Sequence, residues 1–386
     1  MAKMMKQAVL MGIGGPWEIR EVPVPEPGVG QVLIKAKVAS LCKQTDLNTV
    51  RGLHPPHDHQ SWGMLPHEMR LYRNWKEDPL KKYYGTIKEY QYPHVPYPTL
   101  MGHEMAGIVV AVGPQPEQPA GFGGLKGDSG IGWTTAIAGR SKPLQVGDHV
   151  SGSGVFGGFG EYGIMNQNQP GLLPKEIPFE IATFAENVMI INNVLRQLIE
   201  PGYSVFIMGQ GALGGIATMM AKFMGAGRII VSDPVKSKRD LALKRGAVLA
   251  IDPTTQNVVD EVMKATNGEG AQVVIEAAGL QDTIALIPYV AAFGAKVGQI
   301  GACCEPVVVD WSYIHFKGLQ IRSQGSFFIK GGSVTAQEQE ACNILASGAL
   351  DLGSQITHRF KLEQLPAIMK EAETNDDMIK ALCFFD

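Results

Sequence analysis

Cysteines are few in this chain of 386 residues: there are five, an odd number without paired spacing. Such sparse use is typical of a reducing compartment, and we expect a cytoplasmic protein. Long apolar runs are also missing, since no stretch approaches the ~20 residues of a membrane span. The short run after Lys3 and Lys6 lacks a signal-like cleavage site. The net charge of −3 gives no reason to expect a nucleic acid or a membrane as a partner.

What the chain does contain is a strand–turn–helix–strand pattern between Tyr203 and Asp233. Residues 204–208 form a short apolar run of β-favouring residues, and a G-x-G-x-x-G turn follows it. Residues 216–224 favour a helix, and residues 228–232 form a second buried-strand run. A lone glycine motif is weak evidence, because an ordinary glycine turn has the same letters. The complete order of elements predicts a dinucleotide site.

Each part of this turn has a physical role in binding phosphate. Gly209 permits the tight turn, Gly211 leaves room for a pyrophosphate, and Gly214 lets the helix pack closely on the strand. The N-terminus of the following helix offers unpaired N–H groups and a positive dipole end to the phosphates, and Ala212 and Leu213 lie in the turn before it. These five residues are the predicted phosphate-binding turn.

Asp233 closes the second strand at close to the ~20 residues expected after the last glycine. Its carboxylate can accept hydrogen bonds from both ribose hydroxyls and would repel a 2′-phosphate. The sequence therefore favours NAD over NADP, with Lys238 as a second residue that could flank the ribose.

Beyond residue 203, strands and helices alternate at a spacing that predicts a parallel sheet covered by helices on both faces. The length of the chain agrees with two domains of roughly 100–200 residues each. The expected helices are 236–245, 257–266 and 281–292, and the last strand is 319–325. A tail with a helix at 335–347, a strand at 356–360 and a helix at 363–373 is expected to return to the first domain.

The N-terminal half favours strands and is interrupted twice. Strands are predicted within 7–20, 32–40, 100–113, 146–154 and 160–165, and a helix at 179–198 links the two domains. Residues 51–98 are rich in His, Pro, Tyr and Trp and predict a long insertion with one short helix near 65–77. Residues 114–142 are rich in Gly and Pro and predict a second insertion.

Four residues of this half could form a metal site. Cys42 ends a predicted strand, His103 and Glu104 lie in a glycine turn, and Glu186 lies early in the linking helix. A thiolate, an imidazole and a carboxylate suit Zn²⁺, and three protein ligands would leave a fourth position for substrate. Sequence distance alone leaves the alternative open, in which Cys42 is a small buried residue, His103 a turn residue and Glu186 a surface acid.

Several motifs follow one another in an order that has a family counterpart. They are PxPGxGQVLIK at 25–35, C-x-x-T-D at 42–46, GHExAGxVxxVG at 102–113, VGDxV at 146–150, the glycine turn, HFKGLQI at 315–321 and ITHRF at 356–360. The chain resembles the zinc-type medium-chain alcohol dehydrogenase superfamily, especially its sorbitol/threonine-dehydrogenase-like branch. The resemblance implies an α/β fold, with a doubly wound Rossmann domain at 188–325. It also implies a GroES-like, mostly-β catalytic domain at 1–187 and 326–386, with insertions at about 53–98 and 114–142.

The same resemblance implies the roles of the candidate ligands. Cys42 and His103 would bind one catalytic zinc, Glu104 would be a ligand or a neighbour behind it, and Glu186 of the Ala185-Glu186-Asn187 stretch would be the third protein ligand. Thr45 would be the hydroxyl of the proton relay. A structural zinc held by four cysteines is excluded, because no cysteine lies between residues 43 and 302.

Three departures from the family pattern affect this assignment. Cys42 and Asp46 are separated by one residue more than in the usual Cys-x-Thr/Ser-Asp. Asn48 stands where many members have a relay histidine. His67-Glu68 lies nearer the usual distance from Cys42 than His103 does, but HEMRLYRNW is not an apolar strand, so His103 is preferred.

The histidines and basic residues of the first insertion have a plainer interpretation than a second site. His54, His57, Asp58, His59 and His67 are expected in a polar loop near solvent rather than around a second metal. One of these histidines could line the substrate pocket and replace the missing relay group. Arg70, Arg73, Lys76, Lys81 and Lys82 are expected on a solvated face, and Cys303-Cys304 is expected to pack near the nicotinamide.

The reaction implied is oxidation of a secondary alcohol, polyol-like or another hydroxy compound, to a ketone, with hydride passing to NAD. Two alternatives stay open: a zinc-free enone or quinone reductase of the same superfamily, and a non-catalytic NAD-binding protein. The expected partners are a small-molecule substrate and further copies of the chain, as a homodimer or homotetramer.

Overall fold

The computed structural model describes residues 3–51, 97–114, 143–152, 158–167, 169–303, 307–323 and 334–386. Nearly all of the two expected insertions, with His54, Asp58, His67 and the neighbouring basic residues, lies outside the described residues. The chain forms two units, each described by itself. The first comprises Met1–Leu172, Arg359–Glu373 and Leu382–Asp386, and the second comprises Leu173–His358 and Thr374–Ala381.

The first unit is built around a long central strand, β3. It pairs antiparallel with β5 (Glu104–Val112) and β7 (Tyr162–Asn166), and residues 382–384 of the C-terminal strand β16 (Lys380–Phe384) pair with its end. Val32, Ile34 and Ala36 are buried, whereas Lys35 and Lys37 are half-exposed, because side chains alternate along a strand. The elements are β1 Met4–Leu10, β2 Trp17–Pro23, β3 Gln31–Ser40, α1 Lys43–Val50, β4 Thr99–Leu100, β5 Glu104–Val112, β6 His149–Gly152, β7 Tyr162–Asn166 and β8 Gly171–Leu173.

The second unit contains a sheet in the order β11-β10-β9-β12-β13-β14, and every neighbouring pair is parallel. This is the 3-2-1-4-5-6 order of a doubly wound sheet, so the expected Rossmann arrangement is confirmed. The elements are α2 Phe179–Ala182, α3 Ala185–Leu195, β9 Ser204–Met208, α4 Ala212–Phe223, β10 Arg228–Ser232, α5 Lys236–Lys244, β11 Leu249–Ile251, α6 Val258–Ala265, β12 Ala271–Glu276, α7 Gln281–Val290, β13 Ala291–Gln299, α8 Trp311–Lys317, β14 Gln320–Ser323 and α9 Val334–Ala346.

The core of this sheet is apolar on the strands that the pattern predicted. Val205, Phe206 and Ile207 of β9 are fully buried, as are Val273 and Val274 of β12. Strands buried on both faces read as continuous apolar runs, which is why they were recognisable. The C-terminal elements are two short 3₁₀ helices, Leu352–Gln355 and Leu362–Gln364, with β15 Ile356–Phe360, α10 Leu365–Thr374 and β16 Lys380–Phe384.

Some elements differ from their predictions. The single helix expected over 179–198 is divided into α2 and α3 at Thr183 and Phe184. The Thr183 amide bonds to the carbonyl four residues back, that of Phe179, but the Phe184 amide bonds to the carbonyl only three residues back, that of Ile181. The expected helix 281–292 ends at Val290, and Ala291 already begins β13. Neither α1 nor β16 was predicted.

The two units divide the chain at different places from the expected domain limits. Residues 173–187 and 334–358 group with the Rossmann sheet, although the first domain was expected to include them. One cause is the packing of α9 on α3, where Asn193 Nδ2 donates to Gln337 Oε1 at 2.7 Å. None of the described helices combines the length and the apolar character that crossing a bilayer requires.

Candidate metal centre and cofactor site

Cys42 lies at the junction between β3 and α1 and is the N-cap residue of that helix. No side chain caps the helix. Instead Asp46 in the first turn accepts a hydrogen bond from the Cys42 amide at 2.9 Å. Cys42 Sγ and Thr45 Oγ1 are 3.2 Å apart and in hydrogen-bond contact. Residues three and four positions apart share one face of a helix, so the longer Cys42–Asp46 spacing still brings all three side chains together.

His103 and Glu104 are placed by the turn that precedes β5. Gly102 has φ +89°, and a Cβ there would lie 2.9 Å from the Phe159 amide nitrogen, so only glycine fits this turn. Glu104 is the first residue of β5 and lies opposite Ser40, the last residue of β3. The Ser40 hydroxyl donates to Glu104 Oε2. Both His103 and Glu104 are buried.

The structure brings three of the predicted metal ligands together. One donor atom from each of Cys42, His103 and Glu104 lies within 4.8 Å of the other two. His103 Nε2 is 3.9 Å from Glu104 Oε1, and Nδ1 is 3.9 Å from Asp46 Oδ1. The imidazole therefore lies between two carboxylates. A soft thiolate, an imidazole and a carboxylate in one group match the donors that zinc prefers.

The other two residues considered for this site are also buried. Glu186 is the second residue of α3 and belongs to the second unit, so its role as a ligand stays a prediction. Asn48 lies on α1 and is 5 % exposed.

The glycine turn after β9 has the shape that its sequence predicted. Gly209 has φ +87°, and a Cβ on Gly214 would lie 1.9 Å from the Gly209 carbonyl oxygen. Gly211 differs, since a Cβ there would meet nothing within 4 Å. It is the N-cap of α4, and no side chain caps that helix. The helix end with Ala212 and Leu213 is thus open to a ligand, which fits a pyrophosphate.

Gln210 holds this turn in place, a role that the glycine motif did not predict because Gln210 occupies one of its variable positions. Its Oε1 accepts a hydrogen bond from the Thr218 hydroxyl at 2.9 Å, and its Nε2 donates to the Gly209 carbonyl at 3.1 Å. The Thr218 hydroxyl also contacts the Gly214 carbonyl oxygen at 3.0 Å. A polar pair, Gln210 and Thr218, in an otherwise apolar stretch was the only available indication.

Asp233 is buried beside the turn, directly after β10. Its Oδ2 accepts from the Gln210 amide at 2.7 Å, and its Oδ1 accepts from the Val235 amide at 2.8 Å. A carboxylate has about four lone-pair positions, so these two bonds leave capacity for ribose hydroxyls.

Arg239, rather than Lys238, organises the segment after Asp233. Its guanidinium donates to the Asp233 and Pro234 carbonyls at 2.8 Å and pairs with Asp252 at 2.7 Å. The Lys238 side chain makes no hydrogen bond or ion pair within the described part of the chain. It stays a predicted ribose contact.

Known proteins similar to this chain identify its family. A family model described as zinc-binding dehydrogenase matches residues 212–347. The L-threonine 3-dehydrogenase of Pyrococcus horikoshii is 30% identical over 354 residues, which cover 89% of this chain and 88% of that protein. That of Thermococcus kodakarensis is 28% identical over 348 residues, covering 89% of this chain and 87% of that protein. The chain belongs to the zinc-type medium-chain alcohol dehydrogenase superfamily.

Within this superfamily it lies on the threonine/sorbitol-like branch, as the motifs predicted. Solved structures show the same fold. A putative zinc-binding dehydrogenase from Sinorhizobium meliloti, bound to NADP, has a TM-score of 0.74 at 22% identity and covers 99% of this chain and 100% of that one. The 2R,3R-butanediol dehydrogenase from Bacillus subtilis has a TM-score of 0.72 at 18% identity, with the same coverage. The combination of a Rossmann sheet with a separate mostly-β sheet is therefore confirmed, and the chain is an oxidoreductase of this superfamily.

Proposed function

We propose that this medium-chain dehydrogenase is a zinc-dependent, NAD-linked enzyme that oxidises a secondary alcohol to a ketone. The observation that carries the proposal is the group of half-buried Cys42 and buried His103 and Glu104, in which one donor atom of each residue lies within 4.8 Å of the other two. The relatives named L-threonine 3-dehydrogenase support the choice of a secondary alcohol, because L-threonine itself carries a secondary hydroxyl. A polyol-like or other hydroxy compound is the proposed substrate class.

In this proposal one zinc ion is held by Cys42 and His103, with Glu186 as the third protein ligand and Glu104 as a ligand or as a neighbour behind the other ligands. Bound there, zinc supplies Lewis-acid chemistry that stabilises the alkoxide form of the substrate. The chain's own residues prepare the ligands. Asp46, on the Nδ1 side of His103, favours a ring with its proton on Nδ1 and a lone pair on Nε2. Ser40 orients Glu104 through its hydroxyl.

The proton of the substrate hydroxyl is assigned to Thr45. Its Oγ1 is in contact with Cys42 Sγ, and the side chain is half-buried, so it can pass a proton between the metal group and the solvent side of α1. Asn48 cannot titrate. The next step of the proton path is therefore assigned to water or to another group.

The NAD preference is assigned to Asp233. A carboxylate next to the ribose would repel the negatively charged 2′-phosphate of NADP, and this repulsion weakens the binding of NADP relative to NAD. The similar structure bound to NADP supports a nicotinamide dinucleotide in this fold and leaves the preference to be measured.

One experiment separates this proposal from its alternatives. NADH formation is measured over panels of polyols, hydroxy acids, amino alcohols and cyclic alcohols, before and after treatment with a chelator. The proposal predicts oxidation of at least one secondary alcohol that stops with the chelator and returns with zinc. A zinc-free enone or quinone reductase would form no NADH from any alcohol and would instead consume NADH with an added enone or quinone, with or without the chelator. A non-catalytic protein would bind NAD without turnover.

We also propose that the chain assembles with further copies of itself along β14. Among the residues that the structure describes, this strand is the last in its sheet, and all four of its residues are exposed. An open edge strand can pair antiparallel with the same strand of a second copy about a two-fold axis. Trp311 and Phe316 of the preceding helix add exposed apolar surface. Ile321→Lys should reduce the mass measured by light scattering if this edge is used, and an unchanged mass would reject it.

A further inference from the structure

A second buried carboxylate lies at the carboxyl end of the Rossmann sheet, in the half that the glycine turn does not occupy. Glu276 is the last residue of β12 and is 0 % exposed. Neither the glycine motif nor the metal group uses it. A charged group so fully removed from water must be stabilised by its partners.

Those partners come from the turn and helix that follow β12 and from the end of β13. Glu276 Oε1 accepts hydrogen bonds from the Ala278 amide, the Gly279 amide and the Thr283 hydroxyl, each at 2.8 Å. Its Oε2 accepts from Gln299 Nε2 at 2.6 Å. Gln299 is the last residue of β13 and also donates to the Gly301 carbonyl at 2.9 Å. The carboxylate therefore links the turn after β12 to the turn after β13.

The two turns are packed too closely for side chains. A Cβ on Gly301 would lie 2.3 Å from the Gly279 amide nitrogen and 2.7 Å from Glu276 Oε2. A Cβ on Gly279, at φ +71°, would lie 2.4 Å from the Ala302 carbonyl oxygen. The Ile300 and Gly301 amides both donate to the Glu276 carbonyl at 2.9 Å. The backbone of both turns is thus set by contacts around one residue.

The location of these turns relates them to the cofactor. In a doubly wound sheet the dinucleotide binds outside the carboxyl ends of the strands, across the point where the strand order reverses. Here that point lies between β9 and β12. The turn after β9 suits the pyrophosphate, and Asp233 after β10 suits the adenosine ribose. The nicotinamide half is left for the carboxyl ends of β12 and β13.

We propose that Glu276 is a positioning residue for the nicotinamide half of the cofactor. It does not touch the ring; it holds the backbone of residues 277–279 and 300–302 in the form that receives it. This inference rests on the proposed dinucleotide cofactor. A purely structural carboxylate would instead affect every ligand of the sheet alike.

The test is the substitution Glu276→Gln in the full chain. The Kd of NADH and the Kd of ADP-ribose are measured for the variant and the wild type. The variant keeps an oxygen for the Ala278 and Gly279 amides but places an amide donor against Gln299 Nε2. We expect the Kd of NADH to rise about tenfold, because one buried donor loses its acceptor. ADP-ribose lacks the nicotinamide, and its Kd should change less than about twofold. Glu269→Gln is the matched control, since this exposed glutamate before β12 undergoes the same chemical change and should alter neither Kd.

Three results would overturn the inference: unchanged binding of NADH by Glu276→Gln, equal loss of NADH and ADP-ribose, or a selective loss of ADP-ribose. If this variant does not fold, Thr283→Val decides, since it removes only one donor and should raise the Kd of NADH alone by about threefold. Wild-type protein that binds neither ligand would refute the cofactor itself. That failure is distinct from a wild type that binds both and a variant that binds both equally.

Discussion

Asp233 and Glu276 are acidic residues at the carboxyl ends of two strands of one sheet, β10 and β12, yet their surroundings differ. Asp233 accepts hydrogen bonds from the Gln210 and Val235 amides and is 6 % exposed. Glu276 accepts from two amides, a hydroxyl and the Gln299 side chain and is 0 % exposed. A carboxylate with remaining lone pairs can bind a ligand, whereas one whose lone pairs are used holds the backbone around it. The number of internal partners, rather than the residue type, separates the two roles.

The largest effect on activity is expected from a substitution in the metal group, which leaves both carboxylates unchanged. Cys42→Ala removes the thiolate from the cluster and should lower zinc affinity by more than about 100-fold and abolish alcohol oxidation. The Kd of NADH should stay within about twofold, because both carboxylates are unaltered. Zinc content by mass spectrometry and NADH binding by fluorescence check this. Retained zinc would remove Cys42 from the ligand set.

Asp233→Asn tests the ligand-binding side of the comparison. It removes the charge and one acceptor position next to the ribose, so the Kd of NADH and the Kd of ADP-ribose should both rise about 30-fold. The ratio of NAD to NADP efficiency should fall as well, because the repulsion of the 2′-phosphate is lost. Steady-state kinetics with both cofactors measures this ratio. A loss confined to NADH would assign Asp233 the role proposed for Glu276 and break the comparison.

Gly211→Ala and Gly214→Ala test whether the glycines of the turn beside Asp233 serve ligand binding or packing. A Cβ on Gly211 meets nothing within 4 Å, so the melting temperature should be unchanged, while the approach of a pyrophosphate is hindered and the Kd of NADH rises about tenfold. Gly214→Ala is the matched variant. Its Cβ would lie 1.9 Å from the Gly209 carbonyl oxygen, so it should lower stability by about 3 kcal/mol. Equal melting temperatures for the two variants would contradict this account of the turn.

The smallest effect is expected at Thr218→Val, which removes the hydroxyl that anchors Gln210. The free energy of unfolding should fall by about 1 kcal/mol and the Kd of NADH should rise about threefold. Urea denaturation and fluorescence titration measure the two quantities. An unchanged Kd would mean that the turn keeps its shape without this hydrogen bond.

The Rossmann half was predictable because its signals are local. Apolar runs such as Phe206 and Ile207, glycines at fixed spacing and Asp233 at the end of a strand can all be recognised without knowing what lies next to them. Glu276 could not be recognised in this way. It follows Ile275 at the end of an ordinary strand, and its function depends on Gln299 from another strand.

The same distinction applies to the metal group. The meeting of Cys42 with His103 was expected from family motifs, but helix α1 was not, because residues 43–50 lack apolar helical periodicity. The helix is ordered at its start by the bond from the Cys42 amide to Asp46, and this resolves how the extra residue is accommodated. Strand β16 was missed because its partner β3 lies at the opposite end of the chain.

The central claim is that the group of Cys42, His103 and Glu104 is a catalytic zinc site. The most direct measurement compares zinc per chain with the rate of alcohol-dependent NADH formation across samples loaded to different extents. We expect about one zinc per chain at full activity, with a rate proportional to zinc content. A rate that does not change as zinc is removed would contradict it.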